Sequence, residues 1–271
     1  MSTDQSFKHI ISRDNPIFKQ LKKLADNARE RRAEGKTLLD GVHLIEDYLH
    51  TFKDTDQAEP ELVIIPEGKS SLEATNLMQT LADVNTIMLP TLMFAELTPV
   101  ASSTGILALI KTPSIAPPET IEFALMLEDI QDPGNLGSML RTALGAGVQA
   151  VYLSKGCTDA WSPKALRGGQ GAQFHLSMIE GIDLLKTMQN FAGNTYATTM
   201  HGQSLYAQDL TQASAFIVGN EGAGLTSKLL NAANHQISIP MHANLESLNA
   251  GAATAVCLFE RARQVMQVKD K

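Results

Sequence analysis

Apolar side chains at Ile17, Leu21, Leu24, Ala25 and Ala28 recur at the three- and four-residue spacing of one helix face. Asn15-Pro16 precedes them and supplies an N-cap followed by a proline at the first helical position, where no N–H is needed. The pattern predicts one helix running to about Glu34 and stopping near Gly35. Next come a strand at Thr37–Leu39, a helix from Val42 to Leu49 and a strand at Leu62–Ile65. A helix from Ser71 to Ala82, a strand at Thr86–Leu89 and a closing strand at Gly105–Ile110 complete a unit of about 110 residues.

The pattern breaks at Thr112–Glu119, where Pro113, Pro117 and Pro118 exclude both a helix interior and a central strand. A domain boundary is placed there: residues 1–111, a linker over 112–121, and a second domain over 122–271. Beyond the linker, strands alternate with helices. Strands are expected at Phe123–Leu127, Ala150–Leu153, Thr195–Thr199, Ala215–Val218 and Gln236–Ile239. Helices are expected from Ser138 to Ala146, Ile182 to Ala192, Thr226 to Ala233, and Ser247 to about Val268. Such alternation implies an α/β fold with a mostly parallel sheet covered on both faces.

Composition narrows the class. No run approaches the ~18 apolar residues of a membrane helix, and Met1–Gln5 shows no basic region leading into an apolar stretch. The two cysteines, Cys157 and Cys257, are far apart and form no Cys-x-x-Cys. Reduced, structural thiols in a cytoplasmic protein are expected. No His-Glu-x-x-His and no Cys/His cluster occurs, so no metal is expected. The net charge of −7 hides an asymmetry. Residues 8–36 carry nine Lys and Arg against four Asp and Glu, a local +5 that leaves −12 elsewhere. Arg29, Arg31 and Arg32 belong to this basic stretch, which reads equally as a set of phosphate contacts or as a solvated helix face.

Glycine-rich segments invite a nucleotide-binding reading, and two forms of it fail. Gly35-Lys36-Thr37 and Gly68-Lys69-Ser70 end like a P-loop, but the required earlier glycine is Glu30 in one case and Val63 in the other. Gly219-x-x-Gly222-x-Gly224 reverses the Rossmann spacing and provides no pyrophosphate turn. What remains is Glu221 in a backbone-rich turn directly after an apolar strand, suited either to a plain strand-to-helix turn or to a ligand that approaches the main chain. Asp132-Pro133-Gly134-Asn135-Leu136-Gly137 reads as turn chemistry ahead of the helix at Ser138. Arg141 then falls near that helix's start, against the macrodipole, unless it faces an anion. After Ile239-Pro240-Met241 an irregular loop leads to Ser247-Leu248-Asn249, where Ser247 is placed to cap the last helix.

Taken in order, Asp132–Ala143, Phe216–Leu225 and Ile239–Met241 with Ser247–Asn249 resemble the three motifs of the SpoU (TrmH-type) RNA 2′-O-methyltransferases of the SPOUT superfamily. The resemblance spans about residues 122–271. A weaker one over residues 8–110 is carried by Arg29–Arg32, Leu38–Glu46 and Ser103–Ala108, and it matches that family's smaller, ribosomal-protein-like RNA-binding domain. One departure is Ala250-Gly251, where many relatives carry Val and Ser.

The resemblance implies a C-terminal trefoil-knotted methyltransferase domain and a homodimer formed through it, with residues of both protomers shaping each site. S-adenosylmethionine would lie in the knot, held by Thr198, Thr199, Gly219, Asn220, Ile239, Met241, Leu248 and Asn249. Asn135, Arg141, Glu221, Ser247 and Asn249 would be catalytic. Arg141 acts either as the base or, because guanidinium stays protonated, as an electrostatic clamp on the oxyanion or a phosphate. Ser162–Arg167 resembles a basic family segment, which makes Lys164 and Arg167 RNA contacts or simply solvated side chains. The implied substrate is RNA, with ribosomal RNA, and its large-subunit form, favoured over transfer RNA. A non-catalytic RNA-binding or ribosome-assembly protein is the alternative from another class, and the intact motif residues argue against it. No membrane partner is expected.

Overall fold

The computed structural model describes residues 7–68, 70–98, 104–242 and 248–269. They form two compact units. The first contains the residues up to Pro113 together with Trp161–Phe174, and the second contains Ser114–Ala160 and the residues from His175 onward.

The first unit holds strands β1 (Lys8–His9), β2 (Lys36–Asp40), β3 (Leu62–Pro66), β4 (Thr86–Leu89) and β5 (Leu107–Lys111) in the order β1-β4-β3-β5-β2. β1, β4 and β3 are parallel, and β5 runs antiparallel to both β3 and β2. Its helices are α1 (Pro16–Asp26), α2 (Ala28–Glu34), α3 (Val42–Phe52), α4 (Leu72–Thr80) and α5 (Thr91–Ala95). Leu21 and Leu24 of α1 bury against Leu38, Ile64 and Leu107 of the sheet, each such leucine stabilising by about 1.5–3 kcal/mol.

The helix expected over Asn15–Glu34 is broken at Asn27. Asn27 has an extended backbone and closes α1, and its side chain then caps α2 by accepting from Arg29 N. The break turns Arg31 inward. Its Nη1 donates to the carbonyls of Leu24 (2.5 Å) and Ala25 (3.1 Å), and only 5% of the residue is exposed. Arg31, expected among the RNA contacts, is therefore turned inward and fastens α2 to α1. Arg29 and Arg32 remain exposed.

The second unit is a six-stranded, wholly parallel sheet in the order β11-β9-β10-β6-β7-β8. Its strands are β6 (Phe123–Leu127), β7 (Ala150–Ser154), β8 (Ser177–Ile182), β9 (Asn194–Ser204), β10 (Ser214–Val218) and β11 (His235–Ser238). Central strands β6 and β10 are buried at every position, as continuous apolar runs in a two-sided parallel sheet must be. Four helices flank them: α6 (Pro133–Ala146), α8 (Leu184–Asn190), α9 (Ser227–Ala232) and α10 (Ala250–Lys269). Helix α7 (Pro163–Gly169) packs with the first unit, where Thr37 Oγ1 donates to the Trp161 carbonyl at 2.6 Å and Phe174 meets Tyr48 edge-on.

Residues 112–121 form no helix or strand. The division between the units falls at Pro113/Ser114. Trp161–Phe174, which carries Lys164 and Arg167, belongs to the first unit.

Candidate active site

The strand order reverses between β6 and β10. From β6 the chain goes on to β7 on one side, and from β10 it crosses β9 to β11 on the other. Ligands of open α/β sheets occupy the crevice at such a switch point, beyond the carboxyl ends of the strands. Here the loop after β6 (Glu128–Asp132) meets the loop after β10 (Gly219–Thr226), beginning with Glu128 N donating to the Val218 carbonyl at 2.9 Å.

Glu221 organises the junction. Its carboxylate accepts from Gln131 N (3.2 Å), Asp132 N (3.3 Å) and Asn135 Nδ2 (3.2 Å). Partial burial alone would raise its pKa. Hydrogen bonds from its own backbone N–H, from Gln131, Asn135 and Asp132 outweigh that, and the carboxyl is held below its ordinary value. Asn249 Nδ2 donates to Asn135 Oδ1 at 3.3 Å, which joins the third motif to the first. Asn220 closes its own turn by accepting from Gly222 N and Ala223 N (2.9 Å each), while its Nδ2 donates to the Asp129 carbonyl at 2.8 Å. This turn leaves Gly219 no room for a side chain. A Cβ there would overlap the Gly224 carbonyl carbon and Leu225 N.

Beside the cluster lies a cavity of about 180 Å³. Thr198, Thr199, Gly219, Asn220, Ile239, Met241 and Leu248, the expected cofactor residues, all line it, together with Glu221. Asn249 is not on its wall. The walls also include Met200, Ser238 and Cys257. Ala197 of β9 pairs with Gln236, yet the next β11 residue, Ile237, pairs with Gln203. Residues Thr198–Gly202 therefore bulge out of the ladder and bring Thr198–Met200 to the cavity. Gly202 ends the bulge where a Cβ would come within 2.5 Å of Ile237 N. A period-two pattern carries no sign of a five-residue bulge, so nothing in the sequence points to Met200 or Gly202.

Three expectations are corrected. First, the segment read as a turn, Pro133–Gly137, is the first part of α6. Asp132 caps it by accepting from Asn135 N at 2.8 Å, and Pro133 occupies the first helical position. Second, Arg141 is consequently in mid-helix, where the macrodipole argument does not apply. Six residues separate it from Asn135, about 600° of helical rotation, which places it on another face. Its guanidinium is exposed and no described residue pairs with it. The structure thus joins Asn135, Glu221 and Asn249 but does not bring Arg141 to them. Third, α10 starts at Ala250 and is capped by Asn249 Oδ1, which accepts from Gly251 N (2.9 Å) and Ala252 N (3.2 Å). Ser247, expected as cap and catalytic residue, lies outside the described residues, as does Ser103 of the weaker resemblance. Lys164 and Arg167 are exposed one turn apart on α7.

A parallel α/β sheet with an apolar cavity and a fixed carboxylate–amide cluster at its switch point defines a small-ligand-binding enzyme architecture. Comparison with known proteins makes the class specific: residues 122–259 match the SpoU rRNA Methylase family model, and the chain belongs to that family. It is 31% identical to an uncharacterized tRNA/rRNA methyltransferase of Synechocystis, over 94% of this chain and 93% of that one. It is also 31% identical to the Bacillus subtilis 23S rRNA (guanosine(2553)-2′-O)-methyltransferase RlmP, over 93% of this chain and 98% of the relative. A crystal structure of an RNA 2′-O ribose methyltransferase superposes with a TM-score of 0.79 at 28% identity, covering 95% of this chain and 99% of that one. The SpoU methyltransferase AviRb of Streptomyces viridochromogenes, solved with AdoMet, shares the fold at a TM-score of 0.79 and 24% identity, over 93% of this chain and all of that one.

Proposed function

We propose that this chain is an S-adenosylmethionine-dependent RNA methyltransferase that modifies a ribose 2′-hydroxyl of ribosomal RNA, with the large-subunit RNA as the favoured substrate. The observation that carries the reading is the convergence of three separated motifs at one place. Glu221, Asn135 and Asn249 lock together beside a cavity lined by the expected cofactor residues. The named activity of the Bacillus subtilis relative, which aligns over nearly its whole length, favours ribosomal over transfer RNA.

The cavity's chemistry fits the cofactor. Ile237, Ile239, Met241, Leu248 and Ala253 offer apolar walls for an adenosyl group, and Thr198, Thr199, Asn220 and Glu221 offer polar atoms at its margin. When bound, S-adenosylmethionine supplies an electrophilic methyl with its own leaving group, so the protein's task is positioning. Asn135 and Asn249 are held in one hydrogen-bonded chain with Glu221 and present fixed amides toward the ribose. Such orientation is worth up to about 7–11 kcal/mol. Arg141 acts as the clamp on the developing oxyanion and a neighbouring phosphate.

The position of Arg141 supports a shared site. Ser138, Arg141, Leu144 and Gly145 follow one another along the exposed face of α6, and Phe259 of α10 lies alongside, 3.7 Å from where a Gly145 Cβ would be. Phe259 is 50% exposed and Met266 64%, an apolar surface suited to a second copy. In this reading the knotted domains dimerise through α6 and α10, and Arg141 of one protomer serves the site of the other. Arg29, Arg32, Lys164 and Arg167 of the first unit bind the RNA, and the protein works in the cytoplasm. Methyl transfer from labelled cofactor to ribosomal RNA tests the activity, and subunit mixing of inactive variants tests the shared site.

A further inference from the structure

The second unit is poor in cations. It has eight Lys and Arg against thirteen Asp and Glu. Of these cations, Arg261 is buried over the Phe123 ring at 4.1 Å and Arg263 pairs with Glu260. Lys155 and Lys228, by contrast, are exposed, and no described residue pairs with either. Both line the same cavity, about 490 Å³, at the carboxyl ends of β6, β7 and β8. That volume is within the usual range for a small-ligand pocket, roughly 300–1,000 Å³.

Two consecutive acidic residues at the end of β6 build the two lysine-bearing segments. Asp129 has φ 53° and holds the loop after β7. Its N–H donates to Ser154 Oγ at 2.9 Å, and Ser154 Oγ donates to its Oδ1 at 2.5 Å. Lys155 is the next residue. Glu128 holds the start of α9, accepting from Thr226 N at 2.7 Å and Thr226 Oγ1 at 2.8 Å. Lys228 follows two residues later. The third carboxylate of the cavity, Asp183, caps α8 by accepting from Leu185 N at 3.1 Å. The Glu128 and Asp183 carboxylates thus fix backbone at helix starts and the Asp129 carboxylate is taken up by the Ser154 hydroxyl, while neither lysine pairs with a described residue. The cavity also adjoins the reaction site, because the Asp129 carbonyl accepts from Asn220 Nδ2 and from Gln131 Nε2.

We propose that this cavity is a second RNA subsite, which takes a nucleotide of the substrate strand next to the methylated one, with its phosphate held by Lys155 and Lys228. The inference rests on the reading of the chain as an RNA methyltransferase. The test uses the full chain and a ribosomal RNA transcript that it methylates. Lys155→Gln/Lys228→Gln should weaken RNA binding about tenfold at moderate salt and flatten the slope of log Kd against log salt by about 1.4, the share of two single-strand phosphate contacts. Cofactor affinity should stay unchanged. Lys155→Arg/Lys228→Arg should restore RNA affinity. If the Gln pair binds RNA as the wild type does, with the same salt slope, the subsite is refuted while the methyltransferase reading stands. A loss that the Arg pair does not restore also counts against phosphate contact. If the wild-type chain methylates no RNA, the reading itself fails and the subsite with it.

Discussion

Asn135 Nδ2 donates to Glu221 Oε1 at 3.2 Å across 86 residues of chain, tying the first turn of α6 to the loop after β10. This contact converts two sequence motifs into one site. Glu221 accepts from two backbone N–H groups besides, so an amide in its place would turn a donor toward donors.

Glu221→Gln should therefore lower the methyl-transfer rate strongly while the protein still folds, at a stability cost of about 1–3 kcal/mol for the donors left unpaired. The variant also changes pH behaviour. A carboxyl whose pKa is depressed on folding contributes stability above its unfolded pKa and loses it as pH falls through the folded one. Thermal melts taken from neutral pH down through the carboxylate range should show the wild type losing this increment at the acid end. The melting temperature of Glu221→Gln should fall less over the same range. Parallel curves would contradict the argument.

Gly219→Ala forces a methyl into the Gly224–Leu225 backbone, a rigid obstacle that cannot swing aside. Overpacking of this kind costs about 1–3 kcal/mol, and here it distorts the cavity wall. Calorimetric titration should find cofactor binding abolished or reduced by at least about tenfold, together with a lower melting temperature. Unchanged affinity would show that the Gly219 turn does not shape the cofactor cavity.

Arg141→Ala should behave differently. The side chain is exposed and pairs with no described residue, so stability should stay within about 0.5 kcal/mol and cofactor affinity should hold, while the rate drops by about 100-fold or more. Arg141→Lys distinguishes the two chemical roles. A clamp leaves the pH–rate profile unshifted, whereas a base would move its apparent pKa down and retain substantial activity. Mixing Arg141→Ala with Asn135→Ala subunits should restore activity if each Arg141 serves the partner's site.

Arg31 and its neighbours Arg29 and Arg32 should separate cleanly. Arg31→Ala removes a buried guanidinium from two carbonyls and should cost about 1.5–3 kcal/mol in denaturant unfolding. Arg29→Ala/Arg32→Ala should leave stability nearly unchanged and weaken RNA binding with a shallower salt slope. The reverse pattern would remove both assignments.

The sequence was most readable where apolar runs were long and flanked by turn residues. β6 and β10 stand as expected, give or take a residue, because strands buried on both faces must be apolar throughout. β8 leaves no such pattern, since Glu180 and Gly181 interrupt an edge strand that is mostly half-buried. Pro-Gly-Asn at the start of α6 reads as turn chemistry, although Asp132-Pro133 is equally a cap followed by a first-turn proline. The break at Asn27 follows the same lesson. One side chain both ends α1 and caps α2, and helical periodicity continues across it. At the site, chain-local motifs hold Glu221, Asn135 and Asn249, and the cavity's Gly219, Asn220, Ile239, Met241 and Leu248. The bulge at Thr198–Gly202 and the outward direction of Arg141 depend on strand register and helix phase, which no motif encodes.

The most direct measurement is transfer of labelled methyl from S-adenosylmethionine to total RNA from a strain lacking this protein, followed by fractionation and nucleoside analysis. The account predicts label in 2′-O-methylribose of ribosomal RNA, lost with Gly219→Ala and with Arg141→Ala. Label on a base, or none in any RNA although the cofactor binds, would contradict it.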